Sequence, residues 1–195
     1  MVSKIIDNLI LNKIIPNEDR DIYEYGLTQL PHLLLNIIFA LIVGLLFDLL
    51  IETLFFEILY INIRSYSGGY HAKTRRNCTI ISFAILILSC LLTNFFIRVK
   101  IHNKFVLLLI IGIFNSMFIY RLSPVQAQNK PLSMEDIAQI RKKLFDKIII
   151  CNILFTVFAL FKNIITFTIS ITYFIILVLI LLDFLFKSKR LPLKH

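Results

Sequence analysis

The sequence is poor in charge: Asp, Glu, Lys and Arg make up 17% of its 195 residues, against about 25% in soluble globular domains. A chain so short of solvating groups is not a water-soluble protein. Cysteine is scarce too. Three residues, an odd number with Cys90 and Cys151 deep in apolar runs, cannot build a disulfide framework, and their thiols are expected to stay reduced. No Cys/His pair has zinc-like spacing and no HExxH motif occurs, which disfavours a metal-dependent protease; neither a metal nor another cofactor is called for. Repeats and low-complexity tracts are missing. No signal peptide is read at the start, because Asp7 and Lys13 interrupt the first apolar stretch and no small-residue cleavage site follows.

What is abundant is apolar: 58% of residues are hydrophobic, 18 of them Phe, and the mean hydropathy is +0.82. These residues gather into charge-free runs at 33–47, 79–97, 105–120, 148–161 and 163–182, long enough for membrane helices. The expected fold is all-α: a polytopic integral membrane helical bundle of five or six transmembrane or re-entrant helices in one membrane domain, 1–195. Residues 1–32 are read as interfacial helices. In the first of them Ile5, Ile6, Leu9, Ile10 and Ile14 share one face, so it is amphipathic. Pro16 ends it, and Asn17 with Glu18 and Asp19 is read as the cap and acidic first turn of a second short helix through Leu30.

Residues 33–63 form a first membrane hairpin or a single span. Within them 48–63 is apolar but carries Asp48, Glu52 and Glu57. A carboxylate at the centre of a membrane costs about 2.5–3.5 kcal/mol on insertion scales, so this segment is expected to pack against other helices and not to face lipid. Its acids are expected to pair with Arg64, or else to orient His71.

The net charge of +9 resembles that of a nucleic-acid binder, but the 21 bases sit mainly between apolar runs. That pattern suits cytoplasmic loops against anionic lipid, with no nucleic acid involved. The loop 64–78 holds Arg64, Lys73, Arg75 and Arg76 without an acid, 121–147 holds six bases against three acids, and the tail 187–195 holds four bases. All three are assigned to the cytoplasm, with 79–186 supplying the remaining transmembrane helices. The short linkers at 98–104 and Lys162 then lie outside, although Arg98, Lys100 and Lys104 argue against the first placement. Ser133 is read as the cap of a polar cytoplasmic helix, Met134 to Lys147.

Chemistry concentrates between Arg64 and Cys78. Acyl-transfer chemistry needs a thiolate, and an imidazole nearby can generate one. His71 and Cys78 are seven residues apart, two helical turns, which would set both side chains on one face. Cys78 stands just before the apolar helix expected from Thr79, where the positive helix end and Lys73, Arg75 and Arg76 would favour its thiolate. Gly68 and Gly69 would let the backbone approach a substrate carbonyl and offer amides to an oxyanion. A plain turn and a lipid-anchoring basic cluster are the simpler alternatives. Cys90 lies about 18 Å further along a helix and belongs to no such site.

The string RxxxGGYHAKTxxxC, from Arg64 to Cys78, resembles the signature of the accessory gene regulator B family of membrane cysteine endopeptidases. Tyr25-Gly26-Leu27 with Gln29, and Ser123-Pro124 followed by Asn129-Lys130-Pro131, are similar to that family's flanking patterns. The resemblance implies Cys78 as nucleophile, His71 as general base, and Arg64 and Gly69 at supporting positions. It also implies a homodimer and a propeptide substrate with an amphipathic leader, a central signal sequence and an acidic C-terminal tail. Two alternatives from other classes remain: a small transporter using the intramembrane acids, for which Asp48 or Glu52 would be essential and Cys78 dispensable, and a scaffold indifferent to both His71 and Cys78.

Overall fold

The computed structural model describes residues 2–12, 14–70, 74–125 and 133–188. Among them the chain is helical, without strands: α1 (Val2–Leu11), α2 (Arg20–Leu46), α3 (Leu50–Ser67), α4 (Arg75–Arg98), α5 (Lys104–Leu122), α6 (Met134–Leu160) and α7 (Ile165–Ser188). Helices are the form such a sequence can take, because within a bilayer each backbone amide must find its partner inside its own segment. Four of them, α2, α4, α5 and α7, are long and apolar enough to cross a membrane. The other two long helices carry charge: Glu52, Glu57 and Arg64 on α3, and a cluster of bases on the first half of α6.

The chain divides into two compact units, Met1–Phe39 and Ala40–His195. In the first, Arg20 pairs with Asp7 at 2.7 Å. The short helix expected to end near Leu30 is not there. Asn17–Asp19 is a single 3₁₀ turn in which Asn17 provides no cap, and α2 runs unbroken from Arg20 through Pro31 to Leu46. A proline clashes with the carbonyl four residues back and removes one amide, yet here it leaves the helix continuous. Residues 33–63 hold the second half of a 27-residue helix, the turn at Phe47–Leu49 and most of an 18-residue helix that runs on to Ser67. The turn is tight. Asp48 takes φ 53°, and Leu49 N–H donates to the Gly44 carbonyl at 2.8 Å. A Cβ on Gly44 would come within 2.9 Å of the Leu50 backbone.

The second unit is built around α7, which packs on α3, α4, α5 and α6. Its core joins Leu59 and Ile63 of α3, Ile119 of α5, Leu144, Ile148 and Phe155 of α6, and Ile169, Tyr173 and Ile176 of α7. Helix α3, the segment bearing acids, packs on α4, α6 and α7 through a buried stripe of Thr53, Phe56, Leu59, Ile63 and Ser67, while Ile51, Ile58 and Ile61 are exposed. Small residues permit close approach, and at Gly112 the Phe155 ring lies where a side chain would stand, 2.3 Å from a Cβ built there. A polar chain links three helices, Tyr173 Oη donating to Asn152 Oδ1 and Asn152 Nδ2 to Ser116 Oγ, both at 3.0 Å.

The helix expected from Met134 to Lys147 begins as read, with Ser133 and Asp136 forming a reciprocal capping box. It does not stop at Lys147. The polar segment and the apolar run that follows are one helix of 27 residues, because a run of Lys and Arg costs a helix little. The base at Lys104 also finds a local explanation. Its ammonium donates to the carbonyls of Phe96, Ile97 and Val99 at 3.0–3.2 Å, completing the C-terminus of α4 where a cation is favoured.

Candidate functional site

The loop between α3 and α4 begins with a fixed anchor. Arg64, in the last turn of α3, extends its guanidinium over the Tyr60 ring, 5.6 Å from the centroid, and Nη2 donates to the Tyr70 carbonyl. Its Nη1 is buried with no hydrogen-bond partner. Gly68 ends α3 with φ 72°, and a Cβ there would stand 2.8 Å from the Val125 carbonyl oxygen. Gly69, at φ 120°, lies against Arg64 Nη1 and the backbone of Leu179 and Ile180, each 3.4 Å from an added Cβ. Both positions have a backbone conformation that favours glycine, and at Gly68 there is also no room for a side chain. Around them Val125 N–H donates to the Ser67 carbonyl and Tyr70 N–H to the Leu179 carbonyl, both at 3.0 Å. The Tyr70 ring rests 5.3 Å from that of Phe186. The amides of Gly68 and Tyr70 are thus engaged with protein carbonyls, Gly68 N–H with that of Arg64.

His71, Ala72 and Lys73 lie outside the described residues, as do Asn129, Lys130 and Pro131. Thr74 reopens the chain in an extended conformation, φ −124° and ψ 148°, and its hydroxyl accepts from Asn77 N–H at 3.3 Å. Two expectations are corrected here. The stretch from His71 to Cys78 is not one helix, so seven-residue spacing does not by itself align the two side chains. Nor does Cys78 precede its helix: α4 starts at Arg75, and Cys78 closes the first turn with its N–H donating to the Thr74 carbonyl at 3.1 Å. The physical reason is the cap, because a Thr hydroxyl satisfies a free amide at the helix start and Arg75 and Arg76 are good helix formers.

Cys78 is exposed, while Cys90 and Cys151 are buried, and all three are free thiols. Cys90 instead sits 3.4 Å from the Thr53 hydroxyl, far along α4. Tyr60 lies within electrostatic range of Arg64, Glu57 and Cys78, which relates the inner face of α3 to the start of α4. The pairing of Arg64 with an acid is not realised: among the described residues the one ion pair is Arg20–Asp7. A guanidinium offers five donors, and here a carbonyl and an aromatic face take the place of the carboxylate. Sequence reasoning missed Tyr60, whose signal was its spacing, four residues before Arg64 and so on the same helix face. It also missed Val125 and Leu179, which act through their backbones and leave no mark in residue type.

Bases of the α5–α6 region surround this end of the bundle. Arg141 Nε donates to the Ser123 carbonyl at 3.1 Å. Lys147 Nζ donates to Asn62 Oδ1 at 2.8 Å and lies 5.1 Å from the Tyr66 ring centroid.

A bundle of apolar helices defines a multi-pass membrane protein, and here its one exposed thiol stands on the first turn of α4. The chain belongs to the accessory gene regulator B family, whose model matches residues 2–185. It is 30% identical over 145 residues to an AgrB-like protein of Clostridium perfringens strain SM101, a match covering 73% of this chain and 68% of that one. An AgrB-like protein of Listeria innocua is 32% identical over 140 residues, covering 70% of this chain and 63% of the relative. No solved structure matches. Membership puts the protein in the accessory gene regulator quorum-sensing system and in a peptide-processing family linked to AgrD-type propeptides.

Proposed function

We propose that the protein is a membrane cysteine endopeptidase that removes the C-terminal tail of an AgrD-like propeptide and supports cyclisation of the remainder to a thiolactone or lactone autoinducing peptide. The observation that carries this reading is the exposure of Cys78, alone among three thiols, on the first turn of α4. His71 is the general base that takes the thiol proton. Cys78 Sγ attacks the carbonyl before the acidic tail, the peptide C–N bond breaks, and the proton returns from His71 to the leaving amine. The tail departs, and the rest of the substrate is held as a thioester on Cys78.

A thiol within the substrate then attacks that thioester, closes the ring and restores the Cys78 thiol. One thioester replaces another, so this step is nearly balanced and needs no ATP as long as water is excluded. A tethered nucleophile has an effective molarity that free competitors do not match. Arg64 acts as a positioning residue that fixes the chain ahead of His71, and Gly68 and Gly69 let this anchor close. The loop 64–78, the segment 121–147 and the C-terminal tail face the cytoplasm, where their bases meet the acidic tail. The enzyme works as a homodimer among the lipids of a bacterial cell membrane.

The test is propeptide processing in proteoliposomes. Cys78→Ala should abolish cleavage with membrane insertion intact, and His71→Ala should slow it by about 10²-fold or more. With the native enzyme and a substrate whose own Cys is changed to Ala, a covalent adduct on Cys78 should accumulate, visible by intact mass and released by hydroxylamine. Normal processing by the Cys78→Ala protein would defeat the proposal. Rapid turnover of the Cys-less substrate to linear peptide would leave a peptidase without cyclase activity.

A further inference from the structure

At the end of the bundle away from Cys78, about 30 Å along α4, the turn between α2 and α3, the last turns of α4 and the residue before α7 enclose an open cleft of about 710 Å³. Its polar lining is Asp48, Asn94 and Arg98. Asp48 and Arg98 make no salt bridge with each other, so among the described residues the cleft is lined by two opposite charges that form no ion pair. The rest of the wall is apolar and runs outward onto the lipid-facing surface, where Leu46, Leu91 and Phe95 are 77%, 52% and 59% exposed.

Three demands follow for an occupant: an anion for Arg98, a hydrogen-bonding cation for Asp48, and an apolar remainder for the outer wall. An anionic lipid leaves Asp48 unmatched. A choline headgroup carries no N–H to donate to it, and a free zwitterion leaves the apolar flank bare. We propose that the cleft binds a zwitterionic phospholipid with a primary ammonium, of the phosphatidylethanolamine class, from the leaflet bordering this end of the bundle. The phosphate accepts from Arg98 and Asn94, the geometry for which arginine is suited. The ammonium donates to Asp48, and the acyl chains lie along Leu46, Leu91 and Phe95. Charge-assisted bonds of this kind are the strong class of hydrogen bond, and the site is independent of the chemistry at Cys78.

The chain contains no Trp, so the full-length Phe95→Trp protein carries a single emitter at the cleft. Reconstituted in phosphatidylcholine bilayers with a small fixed fraction of lipid brominated on its acyl chains, it should be quenched by brominated phosphatidylethanolamine with an apparent affinity about tenfold above brominated phosphatidylcholine, the size of one charge-assisted bond. Asp48→Asn should bring the two lipids level, and Arg98→Gln should weaken both. A second reporter, Leu91→Trp, should give the same order. Equal quenching by the two lipids in the starting protein would overturn the proposal, as would strongest quenching by brominated phosphatidylglycerol. Displacement of the brominated lipid by soluble phosphoethanolamine would make the site one for a free metabolite. Shielding of both reporters from every brominated lipid would mean that a second copy of the chain covers the face.

Discussion

Helices α4 and α7 are the same length, 24 residues each, and both are apolar enough to cross a membrane. Their surroundings differ: 22% of the apolar window of α4 is buried in the protein, against 67% for α7. Hydropathy measures the preference of a residue for lipid over water and is blind to the difference between lipid and protein. What separates the two is the placement of small hydroxyl-bearing residues. On α4 the buried positions Leu86, Ser89, Cys90 and Thr93 fall at i, i+3, i+4 and i+7, a single stripe. On α7 Thr166, Thr168, Ser170 and Thr172 are all buried, on several faces. A Thr hydroxyl can donate to its own helix, as Thr172 does to the Thr168 carbonyl at 2.7 Å, and then packs as a small residue where helices meet. Helix α7 is the axis of this unit, and α4 is a wall that carries the thiol.

Equal truncations on the two helices test this contrast most sharply. Ile176→Ala on α7, at a fully buried position, should cost about 2–5 kcal/mol, while Leu88→Ala on the lipid side of α4 should stay within about 0.5 kcal/mol. Reversible unfolding in mixed micelles reads both, and similar losses would erase the distinction between axis and wall. A smaller effect is expected from Tyr173→Phe, which removes the bond to Asn152; intramembrane side-chain hydrogen bonds average about 0.6 kcal/mol and reach about 1.7. A loss well above that would mean that the Tyr173–Asn152–Ser116 chain acts as a cooperative unit. The smallest change belongs to Thr168→Val. Its hydroxyl is buried without a partner, so removal should be neutral or slightly stabilising, and a clear loss of stability would show that the hydroxyl has an unrecognised acceptor.

Much of this architecture was legible in composition. The acids of 48–63 required a packed helix, and α3 is one; Ser133 announced the start of α6, and the isolation of Cys90 from Cys78 followed from rise per residue alone. Other features were hidden for identifiable reasons. Pro31 reads as a break in water-soluble chains, yet α2 passes through it. The polar and apolar halves of α6 differ in solvent and not in backbone conformation, so a change of composition marked no boundary. At the site, residue types named Cys78, Arg64 and the two glycines, whereas the start of α4 depended on a single Thr74 hydroxyl. The partners of Arg64 were a carbonyl and a ring, neither of which a search for opposite charges would find.

The anchoring of Ser67–Tyr70 has a consequence for how this protein can vary. Besides the Arg64 guanidinium and the Phe186 ring, the groups that hold the segment are the main-chain amide of Val125 and carbonyl of Leu179, and every residue but proline offers the same ones. Side chains at 179 and 180 are therefore free to drift as far as their own packing allows, and the loop will not register the change. A one-residue insertion in α7 between the core and Leu179 is another matter, because it turns that carbonyl by about 100° around the helix axis and takes it out of reach of the Tyr70 amide. At these main-chain contacts the fastening is counted in residues and not written in their chemistry: tolerant of substitution, intolerant of a change in length.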